Sequence, residues 1–168
     1  MQHTLSLDDI SILLTACHQA KHVTELQPPL PNYITPGHLK VLDCVHHYEA
    51  SGNSAKVSDI AEKMQVTRPG VTRLVRELEA LNAIEKLTDA QDKRIVRLRL
   101  TELGRHLYEY YIAQYHNWLA TQITDISAED IRTTAAVIAK LYATLSTHTP
   151  KLKGQAPVIS KKEVRSHD

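Results

Sequence analysis

The sequence predicts a mainly α-helical chain carrying one small β-hairpin, and two observations predict it. Apolar residues recur at intervals of three and four through six stretches, most of them opened by a Ser or Thr able to cap a helix. One stretch alone switches to a period of two: RIVRLRL, residues 94–100, sets Val96, Leu98 and Leu100 on one side and Arg97 and Arg99 on the other, just after a charged DAQDK.

The elements follow in order. Ser6 caps a first helix whose apolar positions Ile10, Leu13, Leu14, Cys17 and Ala20 share one face. QPPLPNY, residues 27–33, ends it, because proline removes a donor and pushes the residue before it out of the helical region. Thr35 followed by Pro36 opens a second helix with Leu39, Leu42 and Val45 inward. Ser58 starts a short third helix with Val57, Ile60, Ala61 and Met64 on its apolar side. Thr67 starts a fourth after only Gln65 and Val66. This fourth helix turns Val71, Leu74, Val75, Leu78 and Leu81 inward and Arg68, Thr72, Arg73 and Arg76 outward, which is a helix-turn-helix pattern. A helix entering the major groove needs guanidinium and hydroxyl groups on its outer face and an apolar stripe to anchor it; a solvated amphipathic helix would show the same stripe. AIEKLT and RIVRLRL then form a hairpin around a turn at residues 89–93. Placed directly after a recognition helix, such a hairpin is a wing: its tip can put a cation into the minor groove while its basic edge meets phosphates. Thr101 opens a long helix running to about Asp125, and Ser127 with Asp130 forms a capping box ahead of Ile131, Ala135, Ile138, Leu141, Tyr142 and Leu145.

Composition bounds the rest. The 168 residues, 42% hydrophobic and 23% charged, suit one globular unit with a sizeable core. No run of about 18 apolar residues occurs, and MQHTLSLDDI lacks the basic segment and apolar run of a secretory signal, so a cytoplasmic location and no membrane partner are expected. Cys17 and Cys44 are too few for a disulfide framework, are not spaced as CxxC, and read as core thiols in a reducing compartment. Net charge is only +1, but ten Lys/Arg stand against seven Asp/Glu in residues 56–99, and ten against twelve elsewhere, so the middle of the chain is its basic part. No GxSxG, HExxH, phosphate loop or dinucleotide fingerprint is present, and neither catalyst nor cofactor is expected.

VSDIAEKMQVTRPGVTRLVRELEALNAIEKLTDAQDKRIVRLRLTELG, residues 57–104, resembles the winged helix of the MarR transcriptional regulators. Their wing typically carries an Asp-x-Arg motif and leads into a leucine-threonine helix start, here Asp92, Arg94, Leu100 and Thr101. The flanking helices fit the family's order across residues 7–147. One departure is Asn82-Ala83, where the family often has a basic residue and glycine; Asn can also adopt the left-handed turn. The resemblance implies a winged helix-turn-helix embedded in a helical dimer scaffold: residues 1–34 a dimerisation helix and linker, 35–100 the DNA-binding region, 101–149 dimerisation helices, and 150–168 a basic tail. The two-fold axis would place recognition helices ~34 Å apart on a near-palindromic operator in double-stranded DNA. The DNA-contacting set is then Lys56, Ser58, Thr67, Arg68, Pro69, Gly70, Thr72, Arg73, Arg76, Lys93, Arg94 and Arg97, with Asp92 bracing Arg94.

Family members often bind small phenolic or other aromatic anions between the dimer helices and the DNA-binding lobe. The same place would here be lined by Cys17, Tyr33, His38, Tyr108 and Tyr111, although an aromatic stripe at helical spacing is more often dimer core. The expected function is a homodimeric repressor released by such an effector. One alternative is a peroxide sensor, because the family's hydroperoxide sensors use a first-helix cysteine, matched by Cys17; no adjacent cation lowers its pKa. Another is a winged helix that binds protein, against which the outward arginines argue. The ten histidines read as surface residues and no metal site is expected.

Overall fold

A computed structural model describes residues 4–88, 96–148 and 154. The hairpin turn and nearly all of the tail lie outside them. The chain forms two compact units, one ending at Asp125 and one starting at Ile126.

In the first unit, α1 (Leu7–Glu25) starts at Ser6, whose hydroxyl accepts from the Asp9 amide while the Asp9 carboxylate takes the Ser6 amide. After the proline-rich linker, α2 (Pro36–Ala50) starts at Thr35. A two-residue strand β1 (Ala55–Lys56) leads directly into α3 (Val57–Met64), then α4 (Arg68–Ala80). Strands β2 (Ile84–Thr88) and β3 (Val96–Leu100) form the hairpin, with Ile84 opposite Leu100 and Thr88 opposite Val96. β3 is the middle strand of the sheet and pairs on its other edge with β1, Ala55 facing Leu98. α5 (Glu102–Tyr108), a π-helical segment (Glu109–Gln114) and α6 (Tyr115–Gln122) run on from Thr101. The second unit holds α7 (Ala128–Thr147), capped by the expected Ser127–Asp130 box.

The core of the first unit joins Leu39, Val41, Leu42, Cys44 and Val45 of α2 to Ile60 and Ala61 of α3, Val71, Val75 and Leu78 of α4, and Ile84, Leu98 and Leu100 of the sheet. The three-four spacing of α2 and α4 predicted these contacts because two-thirds of each helix surface is free to be polar.

Several expectations are corrected. α3 begins at Val57 and not Ser58, because the Asp59 carboxylate takes the Lys56 amide at 3.1 Å and makes Lys56 the cap. The helix after Thr101 is interrupted by the π segment. Val96, which pairs with Thr88 at the limit of the described ladder, is 38% exposed and not inward. The stripe on α1 is not buried: Leu13 and Cys17 are half-covered, and Ile10, Leu14 and Ala20 are exposed. Among the described residues, none on α1, α6 or α7 is buried.

Two backbone turns fix how α3, α4 and the hairpin meet. Gln65, at φ 55°, takes the left-handed conformation that ends α3, so a non-glycine residue makes the helix-to-helix turn. Asn82, at φ 56°, does the same after α4, with the Ala83 amide returning to Leu78 O at 2.8 Å. Thr101 then locks the next helix onto that corner: its hydroxyl donates to Asn82 O at 2.6 Å and its amide to Ala83 O at 3.2 Å.

Candidate nucleic-acid interface

α4 carries the site. Thr67 caps it by accepting from the Gly70 amide at 3.3 Å, which leaves the hydroxyl hydrogen of Thr67 to donate outward, and Pro69 sits in the first turn where no amide hydrogen is needed. With Val71, Val75 and Leu78 anchored below, the opposite face brings together Arg68, Pro69, Thr72, Arg73 and Arg76 around a shallow hollow of about 470 Å³. Arg73 is 75% exposed at its side chain. Thr72 behaves differently from the expected donor: its hydroxyl is spent on Arg68 O at 2.8 Å, so it offers the outside a methyl group and lone pairs. The amides of the first turn add the partial positive charge of a helix N-terminus beside the arginines. Lys56 and Ser58 are half-buried at the start of α3, and the Ser58 hydroxyl donates to Asp59 Oδ1 at 3.1 Å.

Along the hairpin, Arg97 is half-buried on β3, and Arg99 is held across the strands by Glu85, Nε to Oε1 2.5 Å. Lys86 pairs with Glu79, tying β2 to α4. Asp92, Lys93 and Arg94 lie outside the described residues.

Sequence reasoning missed Glu77 and placed His38 elsewhere. Glu77 lies one turn beyond Arg73, with Oε1 3.9 Å from its guanidinium, and its Oε2 meets Nε2 of His38 at 2.8 Å. His38 was expected in an effector pocket; it is 2% exposed and fully engaged between α2 and α4. Glu77 reads in sequence as one more surface carboxylate, and only the fold brings it to a partner 39 residues away.

The first unit also holds a cleft of about 640 Å³. The end of α1, the Pro28–Pro29–Leu30 linker, Leu39, Lys40 and Asp43 of α2, Tyr111 and Ile112 of the π segment, and Tyr115 border it. Of the five residues expected to line a pocket, only Tyr111 does so. Tyr33 is 81% exposed in a left-handed turn, and Cys17 sits half-covered on α1. Tyr108 stacks on His46, ring centroids 3.7 Å apart, and burial, reinforced by Asp43 and Glu109, raises its phenol above the ordinary pKa. Prolines in a linker give no signal that they wall a cavity.

Burial raises the pKa of the Cys44 thiol, which keeps it protonated and inert. His18 and His22, four residues apart on α1, bring their Nε2 atoms to 3.2 Å, a spacing the sequence reading passed over, and His22 Nδ1 meets Glu25. No group of three or more His, Cys, Asp or Glu side chains among the described residues is arranged to hold a metal ion. No helix among them is long and apolar enough to cross a membrane.

Comparison with known proteins places this geometry. Residues 34–96 match the MarR family. The HTH-type transcriptional repressor MdtR of Bacillus subtilis is 30% identical over 135 residues, 80% of this chain and 84% of the relative. The fold is shared with Streptococcus pneumoniae FabT in its complex with DNA, TM-score 0.60 at 24% identity, covering 84% of this chain and 98% of that one. It is shared too with S. aureus MepR in its DNA complex, TM-score 0.55 at 23% identity, covering 84% and 99%. With a winged helix built on α3, α4 and the β2–β3 hairpin, and a relative of this identity aligned over most of both chains, the chain belongs to the MarR family of DNA-binding transcription regulators.

Proposed function

We propose that the protein binds a near-palindromic operator as a homodimer, with α4 in the major groove, and represses transcription until a small aromatic ligand enters the cleft beside α2. One observation carries this reading: the bare outer face of α4 gathers three arginines and a helix N-terminus around one hollow, while its inner face is fixed in the core. FabT and MepR are described in complexes with DNA, and MdtR is named a repressor. The dimer is supported by apolar side chains left bare in one chain, Ile12 at 68% and Leu14 at 53% on α1, Ile131 at 55% and Leu145 at 60% on α7. Tyr111 and Tyr115 with the proline and leucine walls support an aromatic ligand, and Lys40 supplies a cation for an acidic group on it. At the hairpin tip, Arg94 is assigned to the minor groove and Asp92 to bracing it, from their place in the sequence.

The test starts from a duplex selected out of a random library by the protein itself. Fluorescence anisotropy should show preference for that duplex over random sequence and a fall in affinity with salt, a slope of about one unit per phosphate contact. Sedimentation should show a dimer at micromolar concentration, and members of a panel of aromatic acids, phenols and amines should weaken operator binding. Failure to select any sequence, or a monomer throughout, would overturn the reading.

A further inference from the structure

The cap of α2 and the outer face of α4 are joined by a chain of four side chains. The Thr35 amide donates to His38 Nδ1 at 3.2 Å, and the His38 amide returns to the Thr35 hydroxyl at 3.3 Å. A backbone amide can only donate, so Nδ1 is the acceptor and Nε2 carries the hydrogen. That hydrogen points at Oε2 of Glu77, 2.8 Å away, and the other carboxylate oxygen faces the Arg73 guanidinium at 3.9 Å. His38 is 3% exposed at its side chain, Glu77 42% and Arg73 75%, so the chain runs from the packed interior to the bare face of the recognition helix.

The burial gradient decides what this arrangement does. An exposed pair four residues apart on a helix contributes little, because both side chains must give up rotamer freedom to meet. Glu77 has already given up its freedom: a buried imidazole with one tautomer and both nitrogens engaged fixes its carboxylate. Arg73 therefore meets a stationary anion, and one guanidinium conformer is favoured before any partner arrives. Restricting a long side chain in advance reduces the ordering cost on binding.

We propose that His38 is a positioning residue for sequence reading, acting through Glu77 on Arg73, so that operator discrimination depends on an imidazole that touches no DNA. The proposal rests on the reading of α4 as the recognition helix. It also gives α2, whose Leu39, Lys40 and Asp43 border the cleft, a direct mechanical link to the reading face.

The experiment is a double-mutant cycle on operator affinity, using wild type, His38→Asn, Arg73→Ala and the double variant, each on the selected operator and on random duplex. Asparagine can still accept the Thr35 amide but is too short to reach Glu77, and thermal melting checks that each variant is folded. The expected result for His38→Asn is an operator affinity about threefold to tenfold weaker, random duplex nearly unchanged, and no further loss once Arg73 is absent. Glu77→Gln keeps the acceptor for His38 but loses the charge, and should narrow the ratio between operator and random duplex even if overall affinity rises. Losses that are equal on both duplexes, or that persist in full in the Arg73→Ala background, would overturn the proposal and leave His38 a helix cap. Should Arg73→Ala itself fail to lower operator preference, the assignment of α4's reading residue falls first, which separates the two failures.

Discussion

Gly104→Ala tests whether the corner between α4, the hairpin and α5 is as tight as described. A methyl group on Gly104 would lie 2.0 Å from the carbonyl oxygen of Ala83 and 3.1 Å from its carbon, and both are backbone atoms that cannot swing aside. The start of α5 would have to lift by roughly 1 Å or more, which strains the two hydrogen bonds from Thr101 to Ala83 O and Asn82 O. Overpacking of this kind costs about 1–3 kcal/mol, and each weakened hydrogen bond about 1 more, against a gain of at most about 1 from the better helix propensity of alanine. The net is a loss of about 2–4 kcal/mol. For a chain of this size it should lower the midpoint of thermal unfolding by about 5–15 °C in far-UV circular dichroism. A variant melting at or above wild type would refute the geometry, since alanine would then be acting only through propensity.

Other predictions concern local chemistry. Gln65→Val should destabilise the protein by about 1–2 kcal/mol in urea titration, because a β-branched residue resists the left-handed conformation, whereas Gln65→Gly should be neutral or stabilising. In iodoacetamide labelling, Cys44 should react far more slowly than the half-covered Cys17, until denaturant equalises them. Cys44 and Tyr108 both have raised folded pKa values, so their contribution is intact below the ordinary values of 9.0 and 10.0 and is lost as pH rises through the folded values; alkaline unfolding curves should weaken in Tyr108→Phe. The carboxyl of Asp130, held below its ordinary 3.8 by hydrogen bonds from Ser127, supports α7 above that pH and loses its effect as pH falls through the folded value. Asp130→Asn should flatten the acid end of the helicity profile.

What could be read in the sequence was what is decided within one turn of helix. Ser6, Thr35, Thr67, Thr101 and Ser127 each cap a helix as their local pattern indicates, and the stripes of α2 and α4 find the core. The outer face of α4 was legible for the same reason, since residues three and four apart must share a side. β1 was not, because two residues cannot show a period. The π segment escaped because EYYIAQ satisfies ordinary helix spacing. His38 was placed in the wrong environment, since its side chain is committed to Glu77, and no local pattern announces a partner on another helix. α1 gave the right period and an exposed face: periodicity says that a stripe exists, and not what covers it.

Glu49 gives the small sheet a property beyond its size. β1 offers β3 only two residues of pairing, opposite Leu98 and Arg97, and the Leu100 amide instead donates to Glu49 Oε1 at 3.0 Å, with Arg105 3.7 Å from the other oxygen. A carboxylate from a helix thus stands where a third residue of strand would be. An extended segment seeking to pair with β3 on this side would have to displace both the short strand and a charged group already bonded in place, and the second would leave an anion half-buried without its donor. Glu49 thus completes the pairing of the central strand where β1 is too short to do so, and the pairing sites left to another strand are the outer sides of β1 and β2.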